Sequence, residues 1–163
     1  MILQYFRKKE NQYKNTADQI YLYIVNESRI LIKKKYFKEI NFDTSFEVVS
    51  ILTIFYLKIL KDKKETKFKK INEEIVNNLI SDFDKTFREI GIGDMSIGKH
   101  VKKYVKKFYY RVKKLDFVLS NFNEDSLLIY LNSIKSLDNK HSSSIAKDLM
   151  MIYQNINKNS YNL

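Results

Sequence analysis

The side chains of this 163-residue chain that could do chemistry are few and widely separated. His100 and His141 are the only histidines, cysteine is absent, and neither histidine has a second ligand at a metal-binding spacing. Asp82 and Asp84 are close in sequence, but on a helix their side chains point about 160° apart, which argues against a paired-carboxylate site. We therefore expect no catalytic residue, no metal site and no cofactor, and hence a protein that is not an enzyme.

All three glycines of the chain lie in the sequence REIGIGDMSIGK, residues 88–99. Their spacing differs from the dinucleotide-binding and phosphate-loop motifs, and a helix rather than a strand is predicted before them. We expect Gly91 to end that helix with a positive φ. Gly93 is expected to take a second unusual conformation or to admit a nearby segment, and Gly98 to let another backbone come close. The stretch is thus predicted to be a tight corner between two helices.

Positive charge is concentrated in two segments of the chain. The formal net charge is +11, from 30 lysines and arginines against 19 acidic residues. Residues 58–70 contain seven basic and two acidic side chains, whereas residues 99–114 contain eight basic side chains and no acidic one. The abundance of Lys, Asn and Ile is typical of an AT-rich genome, so the total charge says little about partners. Its clustering favours an anionic partner.

Nothing in the sequence indicates a disulfide framework, a targeting segment or a membrane span. The absence of cysteine excludes disulfides. The first 15 residues lack the apolar region and cleavage site of a signal peptide. The most apolar window, residues 48–60, contains Lys58 and is shorter than the roughly 20 apolar residues that a span needs, so it is predicted to be a buried helix.

Hydrophobic periodicity predicts an all-α fold of about six helices, in a single domain that covers residues 1–163. The expected helices cover residues 16–32, 44–60, 68–90, 96–120, 123–137 and 143–156. Thr44 and Glu47 have the spacing of a capping box, which places Thr44 at the N-cap of the second helix. Ser96 is predicted to be the N-cap of the fourth helix.

The fourth predicted helix is amphipathic, with a basic face opposite its apolar stripe. The stripe lies within an arc of about 100° and consists of Val101, Tyr104, Val105, Phe108, Val112, Leu115 and Leu119. The lysines opposite are Lys99, Lys102, Lys103, Lys106, Lys107, Lys113 and Lys114. Arg111 falls on the border of the basic face. We expect it either to reach a partner or to pair with Glu89 or Asp94.

Residues 80–120 resemble the signature of the ubiquinol–cytochrome c chaperone family, whose members help to assemble respiratory complex III. The pattern is an acidic helix ending in Arg-Glu, a Gly-x-Gly-Asp corner, a Lys-x-Val-Lys-Lys helix, and Phe-Tyr followed by arginine. The matching positions are Arg88, Glu89, Gly91, Gly93, Asp94, Lys99, Val101, Lys102, Lys103, Phe108, Tyr109 and Arg111. Weaker similarity extends over residues 20–135. The chain departs from the pattern at Ser45, Leu52 and Tyr110, where Arg, His and Gly are usual.

This resemblance implies a non-enzymatic assembly chaperone that binds newly made cytochrome b before haem and partner subunits join it. In mitochondria such factors work with a small companion protein near the ribosome exit. The expected location is cytoplasmic, with peripheral contact at most at the cytoplasmic face of the inner membrane, where anionic lipid would be available. The expected partner-binding residues are Arg88, Glu89, Gly91, Gly93, Asp94, Lys99, Lys102, Lys103, Lys106, Tyr109 and Arg111.

Two other functions stay open on the sequence. One is an RNA- or DNA-binding helical domain with residues 99–114 as its electrostatic footprint, although Tyr109 and Tyr110 are the only aromatic residues that we place near that face. The other is a peripheral membrane adaptor that uses residues 58–70 and the fourth helix. A third interpretation is that the lysines form only a solvated surface.

Overall fold

Six α-helices and one short 3-10 helix make up the regular structure of the chain in a computed structural model that describes residues 2–120 and 122–160. They are α1 (Ile2–Lys33), α2 (Phe42–Asp62), α3 (Thr66–Glu89), α4 (Asp94–Ser120), α5 (Glu124–Asn132), the 3-10 helix Asn139–His141, and α6 (Ser142–Asn159). A single isolated bridge joins Phe37 to Leu137. The predicted all-α class and the predicted number of helices are confirmed.

The first two helices begin earlier than their patterns indicate. α1 begins at Ile2 and not near Thr16, because residues 8–15 are good helix formers without an apolar stripe. α2 begins at Phe42, and the prediction of Thr44 as its N-cap is wrong. Asn41 is the N-cap, and its side-chain oxygen accepts the backbone N–H of Thr44 at 3.0 Å. The Thr44 hydroxyl instead donates to the carbonyl of Glu39 at 2.7 Å.

The predicted end of α5 is also wrong, since the helix stops at Asn132 and not near Leu137. The segment after it pairs with another part of the backbone. The N–H of Lys38 donates to the carbonyl of Ser136, and the N–H of Asp138 donates to the carbonyl of Tyr36, both at 3.0 Å. Leu137 remains buried although it is not helical. Tertiary pairing therefore decides where this helix ends.

α2 is the central helix of the fold and contacts α1, α3, α4 and α6. Because neighbours surround it, nearly every turn of α2 is buried, including Val48, Phe55 and Leu60. This confirms that the most apolar window of the sequence is a buried helix. Complete burial of each such side chain contributes about 1.5–3 kcal/mol. None of the described helices carries an apolar stretch of the length that a bilayer crossing needs.

α4 lies against α2, α3 and α5 through its apolar stripe. Tyr104, Phe108, Leu115 and Leu119 are buried, as predicted. Tyr104 sits in an aromatic cluster, with its ring centroid 4.8 Å from Phe42 on α2 and neighbouring rings of α2 and α3 at similar distances. This packing determines the rotation of α4 about its axis, and it turns the opposite, lysine-rich side of the helix outward.

Candidate interaction surface on the fourth helix

The corner that leads into α4 depends on Gly91. This residue has a φ of +86°, in the left-handed region, which confirms the predicted helix end. Its N–H donates to the carbonyl of Arg88, and the N–H of Ile92 donates to the carbonyl of Phe87, both at 3.0 Å. These two bonds form a Schellman motif, which satisfies carbonyls at the end of α3 that have no helical partner.

The other two glycines do not have the roles that we predicted. Gly93 and Gly98 lie outside the left-handed region, and a Cβ added to either would meet no atom within 4 Å. No other segment of the described chain approaches them. α4 begins at Asp94, and the prediction that Ser96 is its N-cap is also wrong, because the N–H of Ser96 donates to the carbonyl of Gly93 at 2.8 Å.

Arg88 joins the end of α3 to the start of α4. Its Nε lies 2.8 Å from Asp84 Oδ2 and its Nη1 lies 2.5 Å from Asp94 Oδ1. These two hydrogen bonds raise the pKa of the arginine. Glu89 is exposed and contributes no hydrogen bond or ion pair among the described residues. The charged group at the corner is thus Asp84, Arg88 and Asp94.

Arg111 is paired with Glu47 of α2, and our expectation of a pair with Glu89 or Asp94 is wrong. Its Nε lies 2.8 Å from Glu47 Oε2 and its Nη2 lies 2.5 Å from Oε1, a bidentate arrangement. About 26 Å of helix separates Arg111 from Asp94, at about 1.5 Å per residue. Only 7% of the Glu47 side chain and 19% of the Arg111 side chain are exposed. The pair therefore joins α2 to α4 in a largely dry environment.

The prediction of Glu47 as a capping residue concealed this role. Glu47 lies in the second turn of α2, and the N-cap of this helix is Asn41. One signal in the sequence could have revealed it: an acidic residue within an otherwise apolar helix needs a cationic partner when it is buried. The hydrogen bonds that Arg111 donates to Glu47 raise the pKa of Arg111.

Lys107 also has an internal partner, although it was assigned to the solvent face. Its Nζ lies 2.9 Å from Asp43 Oδ1, and the Tyr104 hydroxyl donates to the same oxygen at 3.0 Å. The hydrogen bond from Lys107 is the main cause that lowers the pKa of Asp43. Burial, with the bond to Asp43, raises the pKa of Tyr104 to about 12. Lys107 and Arg111 thus form the inner edge of the basic face.

The remaining lysines of α4 form what we call the outer face. All are exposed, and none has a carboxylate within ion-pair distance in the part of the chain that the structure describes. They are Lys99, Lys102, Lys103, Lys106, Lys113 and Lys114. Lys114 Nζ lies 5.6 Å from the centroid of the Tyr110 ring. None of these six ammonium groups therefore forms an ion pair with an acidic side chain of the described residues, although Lys103 is near enough to Asp43 to help lower the pKa of that carboxyl group.

Sequence reasoning missed the exposed apolar residues next to the outer face. Phe117 on α4 and Ile129 on α5 are 77% and 75% exposed. Phe117 follows Tyr110 by seven residues, which is close to two helical turns, so the two side chains share one side of α4. That spacing was the available signal. Tyr109, by contrast, lines a separate groove with Leu57 and Ile80.

Two cavities lie along the outer face and share Tyr110 and Arg111. The first has a volume of about 810 Å³ and is lined by Lys99, Lys102, Lys103, Lys106, Lys107, Tyr110 and Arg111. The second, of about 360 Å³, is lined by Tyr110, Arg111, Lys114, Phe117, Val118, Ser126, Ile129, Tyr130 and Ser133. The surface is therefore continuous from the basic to the apolar end.

The residues considered for catalysis are separated and have structural partners. Asp82 accepts a hydrogen bond from Tyr21 at 2.8 Å, whereas Asp84 pairs with Arg88. The ring of His100 lies 5.6 Å from that of Phe87. Among residues 2–120 and 122–160 no group of three His, Cys, Asp or Glu side chains could hold a metal ion. The described structure therefore does not bring these acidic and histidine side chains together.

Comparison with known proteins connects this surface to a family. The sequence model for "Ubiquinol-cytochrome C chaperone" matches residues 39–131, more than half of the chain, and this range contains the corner, the Glu47–Arg111 pair and the outer face. The crystal structure of the Cbp3 homolog from Brucella abortus aligns with a TM-score of 0.77, over 96% of this chain and 88% of that one. At 23% identity, the alignment shows a shared fold. No curated protein matches the chain significantly.

Proposed function

The chain belongs to the ubiquinol–cytochrome c chaperone family, and from that premise we propose that it is an assembly chaperone for respiratory complex III. The family match over residues 39–131 is the observation that carries the proposal. The described surface supports it, because it combines exposed lysines with exposed apolar side chains. Such a surface binds a partner without changing it chemically.

We infer that the client is newly made cytochrome b, held before haem and the other subunits join it. The corner and the first half of α4 are the candidate contact for the client, with Arg88, Asp94 and Lys99 exposed together. Open space above Gly93 and Gly98 supports this assignment, because a client backbone could approach the helix closely there. Glu89 at the end of α3 is a further candidate contact, and Tyr109 is a separate one in the groove that it lines with Leu57 and Ile80.

The proposed place of work is the cytoplasmic side of the inner membrane, where a membrane-embedded client is inserted. A ribosome exit, a small companion protein and anionic lipid are the partners that such a location offers. The charge of residues 99–114 supports this proposal, since a concentrated positive field attracts the anionic surfaces of RNA and lipid.

Nucleic-acid binding is the competing function, and the hydrogen bonding of the arginines argues against it. Arg88 and Arg111 are both hydrogen-bonded to carboxylates, which leaves only lysines on the outer face. Lysine supplies a point charge, whereas sequence-specific contacts to bases rely most often on the planar guanidinium of arginine. The outer face is thus better suited to general attraction than to specific recognition.

A deletion strain tests the proposed function. We expect loss of the protein to reduce the accumulation of assembled complex III, as measured by native electrophoresis and by the cytochrome b absorbance of membranes. A tagged copy should restore both signals and should purify with pulse-labelled cytochrome b. Normal complex III in the deletion strain would exclude the proposed function, whichever surface the protein uses.

A further inference from the structure

Apolar and basic side chains follow one another in a defined order along the exposed side of α4. Met95 at its beginning is 97% exposed, the lysines follow with Tyr110 among them, and Phe117 comes last. At about 100° per residue, Met95, Lys106, Tyr110 and Phe117 fall within an arc of about 60° on one side of the helix. From Met95 to Phe117 the helix rises about 33 Å. Apolar tips therefore stand at both ends of a straight row of positive charge.

The apolar end is formed by two helices that meet in the fold. Phe117 of α4 and Ile129 of α5 line the same cavity of about 360 Å³, together with Tyr110 and Lys114. Large apolar side chains exposed next to each other are typical of contact sites. Ile129 is distant from Phe117 in sequence, so this pairing depends on the packing of α5 against α4.

The acidic residues of α4 do not compensate the lysine row. Asp94 forms an ion pair with Arg88, and Asp116 lies 3.5 Å from Lys58 of α2. Asp125 lies one turn before Ile129 on α5, near the far end of the apolar tips. The positive field is therefore strongest along the middle of the outer face.

We propose that this outer face, together with Ile129, docks on the surface of an anionic lipid bilayer. Phe117, Ile129 and Met95 enter the boundary between headgroups and acyl chains, and the lysines lie over anionic headgroups. Lysine stems can extend along an apolar surface while the ammonium groups stay in water, so lysines and apolar tips act at one interface. This combination on one helix face is the usual basis of binding at a bilayer surface.

A bilayer explains the face better than RNA does. RNA-binding surfaces use aromatic rings and arginines that stack on bases. Tyr110 and Phe117 are exposed rings, but Ile129 and Met95 cannot stack, and Arg88 and Arg111 are engaged with carboxylates. The row is also long and straight, which suits an extended surface. The proposal deepens the membrane contact proposed above and rests on the same surface. Its test contains no client, so the two proposals can fail separately.

Vesicle binding tests the electrostatic half of the proposal. The full-length protein is mixed with vesicles of phosphatidylcholine alone or with about 30% phosphatidylglycerol, and binding is measured by flotation. We expect binding to the anionic vesicles only. Replacement of Lys102, Lys103, Lys106 and Lys113 by Glu should weaken it by at least about tenfold. The matched control reverses four exposed lysines elsewhere, Lys85, Lys140, Lys147 and Lys158, and should lose far less.

Insertion can be followed optically because the chain contains no tryptophan. In Phe117→Trp the single indole should shift to shorter emission wavelength on anionic vesicles and be quenched by brominated acyl chains. Leu22→Trp, at an exposed apolar position on α1, is the matched control and should show neither effect. The double variant Phe117→Ser, Ile129→Ser should bind several-fold more weakly and keep its requirement for anionic lipid.

Three results would overturn the proposal. Equal loss of binding in both lysine variants would show that the outer face has no special role. An unchanged spectrum of Phe117→Trp on bound vesicles would exclude insertion. Binding to an RNA oligonucleotide that depends on the same lysines, without binding to vesicles, would assign the face to RNA. If the Glu variant does not fold by circular dichroism, the corresponding Gln variant tests the same lysines.

Discussion

The two lysine-rich segments of this protein have similar composition and different uses. In residues 58–70 two of the cations are engaged within the protein: Lys58 lies 3.8 Å from Asp62 and 3.5 Å from Asp116, and Lys63 donates to the carbonyl of Ser160. Along α4 only Lys107 and Arg111 have carboxylate partners among the described residues. The other α4 lysines face outward.

Secondary structure causes this difference. Residues 58–70 include the end of α2, a turn with Lys64 at a φ of +57°, and the start of α3, so successive lysines point in different directions. Residues 99–114 lie in one uninterrupted helix, which keeps lysines at spacings of three and four on one side. Composition alone therefore does not distinguish a structural lysine from one that is available to a partner.

We expect the largest loss of stability from substitution of Arg111, because its side chain is the most buried of the cationic side chains on α4. Arg111→Met keeps the aliphatic stem but leaves the buried carboxylate of Glu47 without its cation. We expect a loss of about 3–5 kcal/mol in the free energy of unfolding, measured by urea denaturation. The double variant Glu47→Gln, Arg111→Met should recover part of it. A loss below about 1 kcal/mol would mean that the pair with Glu47 adds little stability and that Arg111 resembles the exposed lysines of α4 in this respect.

We expect the second-largest loss of stability from substitution of Gly91, because the conformation of this corner determines the direction of α4 relative to α3. Gly91→Val places a β-branched residue at a φ of +86°, and we expect a loss of about 1–3 kcal/mol in unfolding free energy. Gly93→Ala is the matched control, since a Cβ there meets no neighbouring atom. Its stability should stay within about 0.5 kcal/mol. Equal melting temperatures for wild type and Gly91→Val would contradict the Schellman assignment.

The smallest expected change in stability comes from single lysine substitutions, which compare one lysine of each segment. Lys58→Gln removes two ion pairs, and we expect it to cost about 0.2–1 kcal/mol. Lys106→Gln removes a charge without a carboxylate partner among the described residues, and its unfolding free energy should be unchanged or slightly higher, because neighbouring lysines repel one another less. Both variants are compared at low and high salt. High salt should reduce the loss of unfolding free energy caused by Lys58→Gln. Equal losses for Lys58→Gln and Lys106→Gln would contradict the proposed difference between the two segments.

The sequence was sufficient wherever a local pattern carries the physical cause. The stripe through Tyr104 and Phe108 predicted which side of α4 is buried, because helical spacing alone places those residues together. Gly91 predicted the end of α3, because only a residue without a Cβ takes its backbone conformation easily. The ordered motif around the corner predicted the family, which the match over residues 39–131 confirmed.

Contacts between distant segments were decided by tertiary structure. Glu47 and Arg111 are 64 residues apart, and Lys107 and Asp43 are equally distant, so no helical spacing brings them together. The end of α5 depends on pairing with the segment that contains Tyr36, and the apolar tip depends on α5 placing Ile129 beside Phe117. Local sequence determines which face of a helix is apolar or charged. Only the packing of the helices determines which of those charges are neutralised and which stay available to a partner.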